Sequence, residues 1–280
     1  KITKGGLPNK TLNIALAGTG VGKSLFMCHV ASACLMQGRN VLYITCEMAE
    51  EKIAERIDAN LLDIPIQQLQ DPLLTKQKYR AKIDVLKKKT QGKLVIKEYP
   101  TASAHVGHFK ALLNELSLKK GFHPEIIFVD YLNICASSRY KGTIVNSYTY
   151  VKAIAEELRG LAGEYNVPIL SATQTTRSGY GNSNVEITDT SESFGLPATA
   201  DLMFALISTE DMEELNQIMV KQLKNRYNDP TVYKRFVLGI DRQKMRLYDC
   251  EQGAQDNIID AGDTPQTFTD TKKSFDGFKI

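Results

Sequence analysis

Eight consecutive residues, Ala17-Gly18-Thr19-Gly20-Val21-Gly22-Lys23-Ser24, fit the spacing G/A-x-x-x-x-G-K-S/T of a phosphate-binding loop. The residue types have physical reasons. Small residues let the backbone curl until successive N–H groups point inward at phosphate oxygens. The helix expected to begin near Lys23 adds its positive end. Lys23 would reach the β- and γ-phosphates, and the Ser24 hydroxyl would bind magnesium. Such a site needs a second carboxylate for the metal at the end of a buried strand. Ile126-Ile127-Phe128-Val129-Asp130 supplies Asp130 in a Walker B pattern. The next residue is Tyr131 rather than glutamate, so the base that activates water must come from elsewhere. Glu47 is the best candidate, because it follows the apolar run Val41–Thr45, the strand expected directly after the P-loop helix. A carboxylate there lies at the same carboxyl edge of the sheet as Ser24 and Asp130. Glu50 and Glu51 are rivals at the start of the next helix, where acids commonly complement the helix dipole.

These groups demand a framework, and the periodicities supply one. Leu12–Ala17 is an apolar run leading into the glycine-rich turn, and Leu25, Cys28, Ala31 and Leu35 then share one helical face. Helical patterns cover residues 49–62, Lys76–Lys89, 105–119 and Ser147–Tyr165; the last carries a stripe of Val151, Ile154, Ala155, Leu158, Leu161 and Ala162. Strands are expected at residues 94–99, 126–129, 167–172, Leu202–Ile207, 218–223 and 236–240. Strands alternating with helices predict an α/β fold, a mostly parallel twisted sheet flanked by helices. From Ile218 to Tyr248 no helix intervenes, which predicts antiparallel strands added at one sheet edge.

Composition bounds the rest. The 280 residues are 42% hydrophobic and 24% charged, ordinary for a globular chain and incompatible with wholesale disorder or a fibrous repeat. No stretch reaches the ~18 apolar residues of a membrane span, so no membrane partner is expected. The first ten residues lack the apolar run of a signal peptide. The chain opens on lysine, and is expected to be a piece of a longer protein. Net charge is +3, too small to argue for nucleic acid alone. From Asp249 to Ile280 seven acids and three bases give −4, leaving +7 for the remainder. The expected division is therefore residues 1–250 as the ATPase domain and 251–280 as an acidic, flexible or partner-binding tail. The five cysteines form no C-x-x-C pair and read as reduced, buried thiols in a cytosolic protein.

With the P-loop before it, the run GRNVLYITCEMAEEKIAERIDA at residues 38–59 resembles the RecA-type hexameric replicative helicases of the DnaB family, and in particular the branch carried by T-even-like bacteriophages. The likeness extends from Gly5 to Leu247 and includes VDYLNIC at residues 129–135, NSYTYVKAIAEELRGLA at 146–162, SESFGLPATAD at 191–201 and KQLKNRY at 221–227. The resemblance implies a RecA-like P-loop NTPase that spends ATP or another NTP, with Mg2+, to move along single-stranded DNA and unwind a replication fork with 5′→3′ polarity. It implies a hexameric ring, an N-terminal ring domain ahead of these residues, contacts with a primase and a helicase loader, and the host cytoplasm as location. It also implies residue roles. Glu47 stands where the family keeps its catalytic glutamate, and Gln174 where a glutamine senses the γ-phosphate. Lys224 and Arg226 match the basic pair that reaches the neighbouring subunit's nucleotide, where an arginine finger is worth ~10³ or more in rate. From the residues alone, Lys224 and Arg226 lie on one face of a late strand expected at a sheet edge.

Two loops in the family's DNA-binding places carry Arg139 with Tyr140 and Lys141 (residues 136–147), and Arg177 (residues 175–189). Cations on the backbone suit a motor that must ignore sequence, although neither loop is strongly basic and both also read as solvated surface. Residues 76–97 hold nine bases and one acid, best read as a solvated helix face. His105 and His108 are best read as a surface helix pair rather than metal ligands. Two competing functions remain: a RecA-like ATPase acting as recombinase or loader without unwinding, and, more weakly, a small-molecule P-loop kinase, for which no arginine-rich lid is evident.

Overall fold

The computed structural model describes residues 2–69, 76–90, 92–140, 145–175, 185–190 and 195–251. The chain alternates β1 (Leu12–Ala17), α1 (Lys23–Met36), β2 (Val41–Thr45), α2 (Glu50–Leu62), α3 (Ile66–Leu69), α4 (Lys76–Lys89), β3 (Leu94–Glu98), α5 (Val106–Lys120), β4 (Ile126–Asp130), α6 (Ser147–Tyr165) and β5 (Ile169–Gln174). It continues with α7 (Gly195–Thr199), β6 (Leu202–Ile207), α8 (Glu210–Glu214), β7 (Gln217–Asn225), β8 (Arg235–Asp241) and β9 (Arg246–Asp249). The strands form one nine-stranded sheet in the order β3-β2-β4-β5-β1-β6-β7-β8-β9. The six strands from β3 to β6 are parallel, and β7, β8 and β9 continue the sheet antiparallel.

Two-residue alternation assigns each strand's side chains to two helical layers. On β2, Leu42 and Ile44 join the core under α5 and α6, while Val41 and Tyr43 join the core under α1 and α2. Phe109, Leu112, Leu113 and Leu116 of α5 and the apolar stripe of α6 cover the first face. Met27, Cys28, Ala31, Ile53 and Ile57 cover the second. Burial on both faces explains why these strands read as unbroken apolar runs. Helix α5 stops at Gly121, whose φ of 56° is the left-handed C-cap that glycine adopts without penalty. At its other end His105 Nδ1 accepts from Gly107 N at 3.0 Å and His108 Nδ1 from His105 N at 3.2 Å, so the histidine pair closes a reciprocal cap. The described bases of α4 are exposed, as a solvated face requires.

Two expectations need correction. The strand expected at residues 167–172 begins at Ile169 and runs to Gln174. Pro168 has no N–H to give the ladder; only its carbonyl is used, by Ile127 N at 3.1 Å. The strand leading to Arg226 is not at an edge, because β7 lies between β6 and β8 and the outer strand is β9, too short to stand out in the sequence. Among the described residues no helix is long and apolar enough to cross a membrane.

Candidate functional site

The loop after β1 bends through two left-handed glycines, Gly20 at φ 79° and Gly22 at φ 126°. Helix α1 starts at Lys23 with no side-chain cap and no acid in its first turn. Its first N–H groups therefore face outward at the positive end of the helix, the arrangement that accepts an anion. The Lys23 ammonium is folded back, 3.2 Å from the Gly18 carbonyl and 3.4 Å from that of Ala17. Burial pushes its pKa down, opposed by the nearby charges of Glu47 and Asp130. Lys23, Glu47 and Asp130 thus share one electrostatic environment, as the carboxyl-edge argument requires.

Asp130 closes β4 and is 1% exposed. Burial raises its pKa, while the hydrogen bond from Tyr43 and the nearby Ser24 hydroxyl favour the charged form. The Tyr43 hydroxyl donates to Asp130 Oδ2 at 2.9 Å, and the buried Oδ1 has no hydrogen-bond partner. An orphaned, buried carboxylate oxygen beside a serine hydroxyl is a fitting pair of hard ligands for Mg2+. Glu47 is exposed just beyond β2, and its rival Glu50 is committed elsewhere: Glu50 Oε1 accepts from Glu98 N at 2.8 Å, tying α2 to β3.

Gln174 ends β5 directly beside Ala17 in the strand register, so it stands next to the P-loop. Its amide donates to the Tyr131 hydroxyl at 3.1 Å, and the Tyr131 ring lies 5.9 Å from Lys23 Nζ. A cleft of about 580 Å³ adjoins the loop, lined by Thr19, Gly20 and Val21 on one side and by Ser208, Thr209, Glu210, Asp211 and Glu213 on the other.

Lys224 and Arg226 are not part of this cluster. They lie at the other end of the sheet, where Leu202 of β6 pairs with Asn225 of β7. Lys224 Nζ donates to the Pro197 carbonyl at 2.6 Å and the Ala198 carbonyl at 3.2 Å, at the end of α7. Arg226 Nη1 lies 2.9 Å from Asp201 Oδ1. Arg139 pairs with Glu156 of α6. Beside it, Glu157 accepts from the Ser137 hydroxyl at 2.6 Å and from the Ser138 hydroxyl and N–H at 2.8 and 2.9 Å. Burial works against charge on Glu157, yet these bonds hold its pKa below the usual glutamate range. Lys141 and Arg177 lie outside the described residues, as does the acidic tail beyond Glu251.

Sequence reasoning missed Tyr43, Asp201 and Glu157. Each had a signal of one kind: a polar group on or beside an apolar run, where burial forces a partner.

The chain matches the family described as DnaB-like helicase C terminal domain over residues 1–235. It is 46% identical over 253 residues to a DnaB-like replicative helicase of Enterobacteria phage T4, covering 90% of this chain and 53% of that protein. A probable plasmid replicative DNA helicase of Chlamydia trachomatis is 29% identical over 167 residues, covering 59% of this chain and 35% of that protein. The chain thus spans about half, or less, of the length of these relatives. Among solved structures, a DnaB-like replicative helicase solved for its interactions with primase superposes with a TM-score of 0.71 at 16% identity, over 88% of this chain and 59% of that one. A second solved structure, of an ATPase domain, superposes with a TM-score of 0.72 at 17% identity, over 87% and 86%. The fold is thus the RecA-like one of helicase ATPase domains. From the matched span and the phage identity together, the chain belongs to the family of DnaB-like helicase C-terminal domains.

Proposed function

We propose that this domain is the motor of a replicative DNA helicase, hydrolysing ATP or another NTP to move along single-stranded DNA. The supporting observation is the meeting of Lys23, Glu47 and Asp130 beside an uncapped helix N-terminus. Lys23 would release the Ala17 and Gly18 carbonyls and bind the β- and γ-phosphates. Residues Ala17, Gly18, Thr19, Gly20, Val21 and Gly22 would wrap them with backbone N–H groups. The acids across the adjoining cleft repel phosphate and suit the uncharged end of a nucleotide. Ser24 and Asp130 would hold Mg2+, which when bound neutralises charge on the phosphate oxygens. Glu47, exposed and free of the tether that occupies Glu50, would take a proton from the attacking water. Gln174 would meet the γ-phosphate and, through its place before the 175–189 loop, pass the change to DNA.

Arg226 would serve a neighbouring subunit, with Lys224 beside it. Its backbone N–H is bonded to the Asp201 carbonyl and Asp201 N to the Leu12 carbonyl, so Arg226 stands at the start of β1. The P-loop begins at the end of β1. That strand has six residues at about 3.3 Å rise, which separates the two by roughly 17 Å. An arginine side chain cannot span that, so any nucleotide Arg226 meets would be held by another copy. The reading extends to a hexameric ring, DNA contacts by Arg139, Lys141 and Arg177, 5′→3′ unwinding, primase and loader as partners, and the host cytoplasm as location.

The test is fork unwinding by ring-forming protein. Strand separation that needs hydrolysable nucleotide and a 5′ single-stranded arm is expected. Hydrolysis stimulated by DNA without any unwinding would favour a recombinase or loader instead.

A further inference from the structure

We propose that Asp201 is a positioning residue that, with Arg159, aims Arg226 at the nucleotide of the adjoining subunit. The proposal rests on the reading of Arg226 given above.

Asp201 is fully buried, and both its oxygens are filled. Oδ1 accepts from Arg159 Nη2 at 3.0 Å and lies 2.9 Å from Arg226 Nη1 in an ion pair. Oδ2 accepts from Arg159 Nε at 3.1 Å and from Leu12 N at 3.0 Å. A desolvated carboxylate requires a partner, and the fork of Arg159, bound through two nitrogens, already meets that need. The second guanidinium exceeds what neutrality demands. Lys224 is close enough to feel Asp201, Arg226 and Arg159, so three cations surround one carboxylate. The surplus is positive and faces outward, since the Arg226 and Arg159 side chains are 38% and 39% exposed. Such a surplus is suited to an anion brought by another molecule.

The arrangement also fixes direction. Arg226 is held twice by Asp201, through its own backbone N–H to the Asp201 carbonyl at 3.0 Å and through its guanidinium to the carboxylate. A free arginine loses rotamer entropy when it is fixed. Here much of that ordering is present before the neighbour's nucleotide arrives. Arg159 belongs to α6, the helix whose Glu156 and Glu157 hold the 137–139 loop, so one rigid helix carries both the loop anchors and the arginine frame.

The experiment compares Arg226→Ala, Asp201→Asn, Arg159→Gln and the Arg226→Ala/Asp201→Asn double variant in ring-forming preparations, with assembly checked by mass photometry. Asp201→Asn is expected to lower kcat roughly 10- to 100-fold, the cost of displacing a reacting group by about 1 Å. KM and the affinity for a fluorescent ATP analogue should stay unchanged. The double variant should be no slower than Arg226→Ala alone. Mixing Asp201→Asn with Lys23→Ala subunits should restore hydrolysis, because the second supplies an intact Arg226 to the first. If Asp201→Asn does not assemble, Arg159→Gln carries the comparison, with a smaller loss in the same direction and the same recovery on mixing. Wild-type turnover in Asp201→Asn or Arg159→Gln while Arg226→Ala is slow would overturn the proposal. So would losses that multiply in the double variant, or weakened nucleotide binding with no recovery on mixing. Wild-type turnover in Arg226→Ala would instead remove the reading of Arg226 itself.

Discussion

Tyr43 and Asp130 are joined across neighbouring strands by a 2.9 Å hydrogen bond that fixes one carboxylate oxygen and leaves the other without a partner. Tyr43 is fully buried and stacked on Phe128 with ring centroids 5.5 Å apart, so its hydroxyl has no other place to turn. Removing the hydroxyl in Tyr43→Phe keeps the stack and frees the carboxylate to rotate. Groups that orient metal ligands are typically worth 10- to 100-fold in metal affinity. Manganese titration followed by electron paramagnetic resonance should show roughly 10-fold weaker binding in the presence of nucleotide. Binding equal to wild type would mean that Asp130 is held by Ser24 and the fold alone.

Lys23→Ala should separate stability from function. Burial lowers the Lys23 pKa in the folded chain, so below its ordinary value near 10.5 the charge opposes folding. Its loss should leave the nucleotide-free Tm unchanged or raised, while nearly abolishing hydrolysis and the Tm rise that Mg·ATP gives the wild type. A variant that hydrolyses within a few-fold of wild type would remove the P-loop assignment.

Glu157 predicts an acid-sensitive loop. Its folded pKa lies below the unfolded value of about 4.3. The stability it contributes is therefore complete above that pH and is lost as pH falls through the folded value. Glu157→Gln should abolish this part of the acid transition and release Ser137 and Ser138. Single-stranded DNA affinity should drop about 10-fold, the cost of losing bonds to one charged acceptor, with DNA-independent hydrolysis unchanged. Unaltered DNA affinity would show that the 136–147 loop does not meet the strand. Hydrogen exchange at Ser138 would report the release independently.

The P-loop, Asp130 and Glu47 were legible because each is set by neighbours in sequence: an apolar run ends, and the next residues must lie at the sheet's carboxyl edge. To the sequence's preference for Glu47 over Glu50 the structure adds that Glu50 is spent on the Glu98 backbone. The meeting of Asp201, Arg159 and Arg226 was beyond reach because it depends on β7 returning antiparallel to β6, which places Asn225 beside Leu202. The edge position expected for Arg226 failed for the same reason, since β8 and β9 cover β7. What separates Arg226 from its own P-loop is the length of β1, not an edge. Tyr43 was hidden inside VLYIT, where a tyrosine passes for one more apolar residue.

The proposed motor depends on Glu47 activating the water that would cleave nucleotide held by Lys23, Ser24 and Asp130. Glu47→Gln keeps the shape and removes the base. Single-turnover hydrolysis with bound Mg·ATP should slow by ~10² or more, the usual reach of general base catalysis, while nucleotide affinity measured by fluorescence stays at the wild-type value. Cleavage at the wild-type rate in that variant would contradict this role and return the search to Glu50, Glu51 or another carboxylate.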